Sequence, residues 1–422
     1  MNTPPVMLKK IPTQQVKLGM YLQSMEGAWL SHPFWKTKFV LHSQADLNAL
    51  LASGVPAVWI DVSKGGDVAE VAATPEGLPG SSGEPARTPE IAPNPVVPGE
   101  DELPTKLNFQ DEMVQAAAVV NRSRQAVTAL FGEARLGKAI DTEQCLPVVE
   151  EIASSVSRNP SALISLARLK TKDDYTYMHS VAVCALMVSL SKQLGLSEAQ
   201  SREAGLAGLL HDVGKMMMPI TVLNKPGKLT DAEFDVMRSH PVRGYEALKV
   251  GSAVPLSALD VCLHHHEKMD GSGYPYKLRG EDISLLARMG AVCDVYDAIT
   301  STRPYKAAWG AADSIQRMAQ WAGHFDPAVF KAFVLSVGIY PVGTLVRLQS
   351  GRLAVVVDQN PGALTMPVVR VFFSTKSKMP IPVLTLDLAQ PGVNDRVVGR
   401  ESAQEWGFNH LDDFWRKPDV RA

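Results

Sequence analysis

Residues 65–107 consist largely of Pro, Gly, Ser, Ala and Glu, with Gly80-Ser81-Ser82-Gly83 and Pro93-Asn94-Pro95 among them. A stretch so poor in large apolar side chains cannot offset its ordering entropy by burial, so it predicts a flexible tether. No single fold can then run through the chain. Residues 1–64 must form a small unit of their own, and the residues beyond the tether must build a separate core.

Within residues 1–64, strand-like runs at 16–22 and 57–61 flank a helical pattern at 44–53, which predicts a small α+β domain. After the tether, 109–139 reads as a long helix, with Met113, Ala117, Val120, Val127 and Leu130 on related faces. A further helix is expected near Asp141. Ser197 with Gln200 and Thr230 with Glu233 match the reciprocal N-terminal capping box. A succession of medium helices with almost no alternating runs predicts an α-helical domain over 108–339. Residues 340–422 change character, with alternating or β-branched runs at 343–348, 353–358 and 368–373, and predict a β-rich extension. The fold class expected is mainly α, with a small α+β domain before the helices and a small β appendage after them.

Hydrophobic residues are 45% of the chain and charged residues 20%, ordinary values for a water-soluble protein. The formal charge of −2 argues against binding a nucleic-acid polymer, though a local basic pocket for a small phosphorylated ligand is compatible with it. The four cysteines are widely spaced without a C-x-x-C pair and read as buried thiols. Neither a signal peptide nor a spanning segment is expected, and the expected location is cytoplasmic, away from membranes.

Six of the ten histidines lie between His179 and His266. His179 opens an apolar helical run, and His211-Asp212 closes the next. His240 is expected at the end of the helix begun near Thr230. His264-His265-His266 end another helix, and Asp294 lies within one spanning 285–299. Several helices each delivering a ligand is how an all-α domain assembles a metal centre. Imidazole and carboxylate together suit Fe, Mn, Co, Ni or Zn. Asp212 could bridge two ions. Two ions sharing a hydroxide offer a nucleophile at neutral pH and neutralise charge on a phosphoryl group, so phosphoester hydrolysis is the indicated chemistry.

These residues resemble the HD-GYP subfamily of HD-domain phosphohydrolases, bacterial enzymes that degrade cyclic di-GMP. The resemblance covers residues 175–337. It rests on His179-Ser180, His211-Asp212-Val213-Gly214-Lys215, His240-Pro241, His265-His266-Glu267-Lys268-Met269-Asp270-Gly271-Ser272-Gly273-Tyr274-Pro275, Asp294-Val295-Tyr296-Asp297-Ala298 and Arg303-Pro304-Tyr305-Lys306. It implies an HD-type helical bundle and a phosphodiesterase that opens cyclic di-GMP to linear pGpG, with slow conversion onward to GMP left open.

Carried over by residue, one metal is implied at His179, His211, Asp212 and Asp294, and a second at His240, His265 and His266, with Asp212 bridging. The cofactors implied are two divalent transition-metal ions, Fe or Mn ahead of Ni, Co or Zn. Lys215 is implied to reach the phosphate or protonate the leaving oxygen. Tyr274, Arg303 and Lys306 correspond to ligand-contacting positions, where guanidinium and ammonium suit a phosphodiester. Asp270 and Asp297 are expected to orient ligands or cap turns. Some members carry a glutamate one turn before the first histidine that supports a third metal. Here Tyr175 holds that place, so a dinuclear site is expected, with linear dinucleotide as its main product.

The N-terminal stretch, with Gly19-Met20-Tyr21 and Trp29-Leu30-Ser31-His32-Pro33-Phe34, resembles an uncharacterised domain that precedes HD-GYP modules, which implies a regulatory role. Partners implied are cyclic di-GMP and, through the Gly273-Tyr274-Pro275 loop, diguanylate cyclases or other signalling proteins. The helix from Phe109 could form a homodimer seam or pack within the chain. Two other readings stand beside the phosphodiesterase: a low-activity or inactive sensor of the dinucleotide, and an HD phosphohydrolase acting on another nucleotide.

Overall fold

A computed structural model describes residues 8–25, 39–52, 55–66, 107, 109–170, 175–225, 227–251, 254–301 and 309–416. The aromatic run at 29–34, most of the tether, Asp173, Asp174, Arg303 and Lys306 lie outside the described residues. The chain divides into two compact units, residues 1–102 and 103–422.

In the first unit, strands β1 (Leu8–Pro12), β2 (Tyr21–Met25), β3 (Phe39–Val40) and β4 (Ala57–Asp61) form an antiparallel sheet in the order β1-β4-β2-β3, accompanied by helix α1 (Gln44–Ala52). Ile11, Met20, Leu22, Leu41, Leu50, Val58 and Ile60 make its core. The strand expected at 16–22 is displaced. The backbone turns at Gly19, with φ 87°, and β2 begins only at Tyr21. Val16 and Met20 owe their apolar character to the core beneath that turn.

The second unit opens with α2 (Phe109–Arg135), four residues shorter than expected because Gly137 adopts φ 74° and its N–H closes on Ala134 O at 3.0 Å. Helices α3 (Leu146–Arg158) and α4 (Pro160–Ala167) follow. Next comes α5 (Tyr175–Gln193), which is buried on every face from Met178 to Ser191 and is therefore the central helix. Around it lie α6 (Glu198–Leu210), the short α7 (Ile220–Leu223), α8 (Asp231–Arg238), α9 (His240–Lys249), α10 (Leu256–His264), α11 (Leu285–Thr300), α12 (Ala311–Ala319) and α13 (Pro327–Val337). Both capping boxes form, Ser197 with Gln200 on α6 and Thr230 with Glu233 on α8. No helix among the described residues is long and apolar enough to cross a membrane.

Strands β5 (Leu345–Leu348), β6 (Arg352–Asp358), β7 (Val368–Ser374), β8 (Met379–Asp387) and β9 (Val397–Arg400) make an antiparallel sheet in the order β8-β7-β6-β5-β9. The last two were not foreseen. β8 is interrupted by two prolines and largely exposed, as suits an edge strand. The sheet is tied to the helices: Phe109 N–H donates to Asp358 at 3.2 Å, and Arg400 pairs with Asp313 at 2.7 Å.

Candidate metal centre

The seven sequence-predicted ligands come from five places in the helical unit and converge. His179 sits in the second turn of α5, His211 caps the end of α6, and Asp212 starts the 3-10 turn Val213–Met217. His265 and His266 follow the last residue of α10, and Asp294 lies mid-way along α11. His240 differs from expectation. It is the first residue of α9 rather than the end of α8, because Pro241 has no N–H to continue the earlier helix and is well placed in the first turn of a new one.

Backbone contact brings the two halves together. A Cβ on Gly214 would stand 1.9 Å from His240 O, so only glycine lets the turn after Asp212 lie against the start of α9. Ligand atoms of His179, His211, Asp212 and Asp294 then lie within 4.8 Å of one another, as do those of His240, His265 and His266. All seven except His266 are buried.

Asp212 stands between the groups. Its Oδ2 is 3.3 Å from both His179 Nε2 and His211 Nε2, while its Oδ1 is 3.2 Å from His240 Nε2 and 3.8 Å from His265 Nε2. Asp294 Oδ1 lies 3.0 Å from His179 Nε2, and its Oδ2 lies 3.7 Å from His266 Nδ1.

The other ring nitrogens are held from behind. Nδ1 of His179 meets Asp297 at 2.6 Å, that of His211 meets Gly208 O at 2.7 Å, and that of His240 meets Met237 O at 2.8 Å. Nδ1 of His265 lies 3.0 Å from the carbonyls of Val261 and Cys262. On His211, His240 and His265 a carbonyl at Nδ1 fixes the proton there and aims the Nε2 lone pair inward, as a metal-ligating imidazole requires, and Asp297 orients the His179 ring the same way.

Electrostatics divide the site. Burial, helped by neighbouring histidines, pushes His265 well down and His266 to about 3, so both are neutral donors. Burial also acts to lower His179, but Asp212, Asp294 and Asp297 outweigh it and lift that ring to about 10. Asp212 resists burial because Lys215 and His211 stabilise its anion, and Asp294 because the His179 ring hydrogen-bonds to it. These are buried anions wanting a cation.

A metal fits by the same token: His211 Nε2 and Asp212 Oδ1 are buried without a hydrogen-bond partner. The donors are nitrogen and oxygen throughout. The four cysteines are free and buried, and burial raises their thiols, Cys145 to about 12.

The family described as HD domain matches residues 147–329, and the Domain of unknown function (DUF3391) matches residues 8–145. The chain is 54% identical over 410 residues to cyclic di-GMP phosphodiesterase PA4108 of Pseudomonas aeruginosa, covering 97% of this chain and 96% of that one. The chain belongs to the HD-GYP phosphohydrolases. Two further relatives match only part of its length. The cyclic di-GMP phosphodiesterase response regulator RpfG of Xanthomonas campestris is 48% identical over 34% of this chain and 39% of its own. The 3'3'-cGAMP-specific phosphodiesterase 1 of Vibrio cholerae is 34% identical over 44% of this chain and 42% of its own.

Around the HD-GYP centre, Lys215 pairs with Asp212 Oδ2 and is partly exposed, and the ring of Tyr274 lies 4.7 Å from that of His266. His264 turns away to Asp260 at 2.7 Å and joins neither group. In the Gly-rich loop only Gly271 needs positive φ, at 77°. Gly273 is required for space instead, since its Cβ would meet Glu267 Cα at 2.5 Å. Asp270 caps the loop by accepting the Ser272 N–H at 2.8 Å.

Two residues of consequence escaped the sequence reading. Glu267, buried, accepts the N–H groups of Tyr276 at 2.6 Å and Leu278 at 3.1 Å, tying the loop that carries Tyr274 to the end of α10. Its only signal was an acidic residue between His266 and a glycine-rich turn. Lys170, with a fully buried side chain, pairs with Asp297 and donates to Ser301 Oγ at 2.9 Å. Nothing in the local sequence distinguishes it from a solvated lysine.

Proposed function

We propose that the seven converging residues bind two divalent ions and that the chain uses them to hydrolyse one phosphodiester of cyclic di-GMP, releasing linear pGpG. The single observation that carries this is Asp212, whose two oxygens face different histidine groups, with Lys215 beside it. His179, His211 and Asp294 would hold one ion, His240, His265 and His266 the other, and Asp212 both. When bound, such a pair activates water at neutral pH and neutralises charge on the phosphoryl oxygens.

The chain's own groups do the rest. The Nδ1 contacts keep each imidazole pointed inward before substrate arrives, so little reorganisation is needed at the moment of reaction. Lys215, drawn off Asp212 by a phosphate, would donate to the phosphoryl oxygen or give its proton to the departing ribose oxygen. Tyr274, kept a neutral phenol by burial first and by Asp294 and Asp212 after it, offers an O–H donor near His266.

The mixed nitrogen and oxygen donors suit Fe or Mn, as they do Co, Ni or Zn. Two ions rather than three are favoured because Tyr175, not a carboxylate, stands one turn before His179, its ring lying 6.0 Å from the imidazole and nearly parallel at 8°. Cyclic di-GMP is favoured over 3'3'-cGAMP because the relative matched along both chains acts on it. The test is anaerobic purification with metal analysis, then incubation with cyclic di-GMP and Fe or Mn and chromatography of the products. Appearance of pGpG is expected. A fully metallated protein that binds the dinucleotide but releases neither pGpG nor GMP would overturn the reading.

A further inference from the structure

Arg238 is the last residue of α8, two positions before His240. Its guanidinium carbon lies 4.8 Å from the centre of the Tyr274 ring, and that ring in turn lies 4.7 Å from His266. Phe234 offers a second, looser ring contact at 5.8 Å. Among the described residues no carboxylate pairs with Arg238, whereas Arg158, Arg288 and Arg400 are paired with Glu112, Asp326 and Asp313. The carboxylates of the centre are already engaged: Asp212 with Lys215 and histidines, Asp294 with His179.

Arg238 is thus a half-buried guanidinium at the edge of the metal centre, steadied by an aromatic ring and without a counter-ion among the described residues. A guanidinium so placed presents its donors to a planar or tetrahedral anion, and holding it on a ring beforehand lowers the entropy lost on binding. A cyclic dinucleotide carries two phosphodiester anions. The metal centre takes the one that is cleaved, and the other must be matched elsewhere. We infer that Arg238 forms a second anion subsite, receiving the phosphodiester that is not cleaved. This rests on the cyclic dinucleotide reading above.

The test uses the full Mn-loaded chain with Arg238→Met and Arg238→Lys. Substrates are cyclic di-GMP and bis(p-nitrophenyl) phosphate, which has one phosphodiester. GpG, with both guanines but a single phosphodiester, serves as a competitor. The ratio of kcat/KM for cyclic di-GMP to that for bis(p-nitrophenyl) phosphate should fall by about 10- to 100-fold in Arg238→Met, the cost of losing one charged hydrogen-bond partner. The change should appear in KM, Arg238→Lys should recover part of it, and metal content should stay at the wild-type level. Equal losses on both substrates would make Arg238 a prop for Tyr274 and overturn the subsite. So would a weakened GpG competition matching the cyclic di-GMP loss, which would assign Arg238 to a guanine edge, or a lysine that recovers nothing. If wild-type protein cleaves bis(p-nitrophenyl) phosphate but not cyclic di-GMP, the substrate reading fails. If it cleaves both and Arg238→Met leaves the ratio unchanged, only the subsite fails.

Discussion

Asp297 accepts the Nδ1 proton of His179 over 2.6 Å, and the same carboxylate oxygen is paired with the buried ammonium of Lys170. Three groups with almost no solvent contact form a line from the loop before α5 to the metal centre. Lys170 offsets the burial of the Asp297 anion, and Asp297 in turn holds the His179 ring with Nε2 forward.

Asp297→Asn should weaken ion binding about 10- to 100-fold, the usual cost of losing a carboxylate behind a ligating histidine. The loss should fall on the group containing His179, so metal analysis after dialysis should drop from two ions towards one. Equal loss of both ions would show that the line does not act through His179.

Lys170→Met leaves Asp297 buried without its cation and should lower stability by about 3–5 kcal/mol, the penalty for an orphaned buried charge. The double variant Lys170→Met/Asp297→Asn should regain part of that loss. Urea unfolding of the four proteins measures the coupling, and strict additivity would mean the pair is not energetically linked.

Asp212→Ala removes the side chain whose two oxygens lie within 3.3 Å of histidines of both groups. Both ions and all phosphodiesterase activity are expected to disappear together. A variant that keeps one tightly held ion would show that the groups bind independently.

Lys215→Met should retain both ions while kcat falls by about 10²- to 10⁴-fold, the range for a positioned proton donor. The same variant tested on a substrate with a p-nitrophenolate leaving group, which needs no protonation, separates the two roles. A much smaller loss there assigns Lys215 to the leaving oxygen, and an equal loss assigns it to the phosphoryl oxygen.

Glu267→Gln replaces the side chain whose two oxygens accept two backbone N–H groups and should cost about 1–3 kcal/mol. Hydrogen exchange at Tyr276 and Leu278 should quicken, with KM for cyclic di-GMP rising as Tyr274 loses its support. Unchanged protection at both amides would contradict the anchoring role.

Much of this was legible because chemistry and periodicity coincide. Helix positions followed from apolar spacing and from the caps at Ser197 and Thr230, and the histidines stood out because six of the ten cluster between 179 and 266 beside Asp212 and Asp294. Less was legible where partners are distant in sequence. Lys170 and Asp297 lie 127 positions apart, so neither marks the other along the chain. Strand β8 was missed because an exposed edge strand carrying two prolines lacks the alternation that burial imposes on β6 and β7. The placement of His240 turned on Pro241, whose effect is to restart a helix where the apolar pattern alone simply runs on.

The contact between Gly214 and the carbonyl of His240 has a consequence for how the centre can change. With no side chain between the turn after Asp212 and the first residue of α9, the gap between the two histidine groups is set by the thickness of two main chains. Side-chain substitutions can retune either group, but neither can widen the gap. A residue larger than glycine at 214, or at Gly244 packed against it, would force it open, so that pair of glycines acts as the ruler of the site.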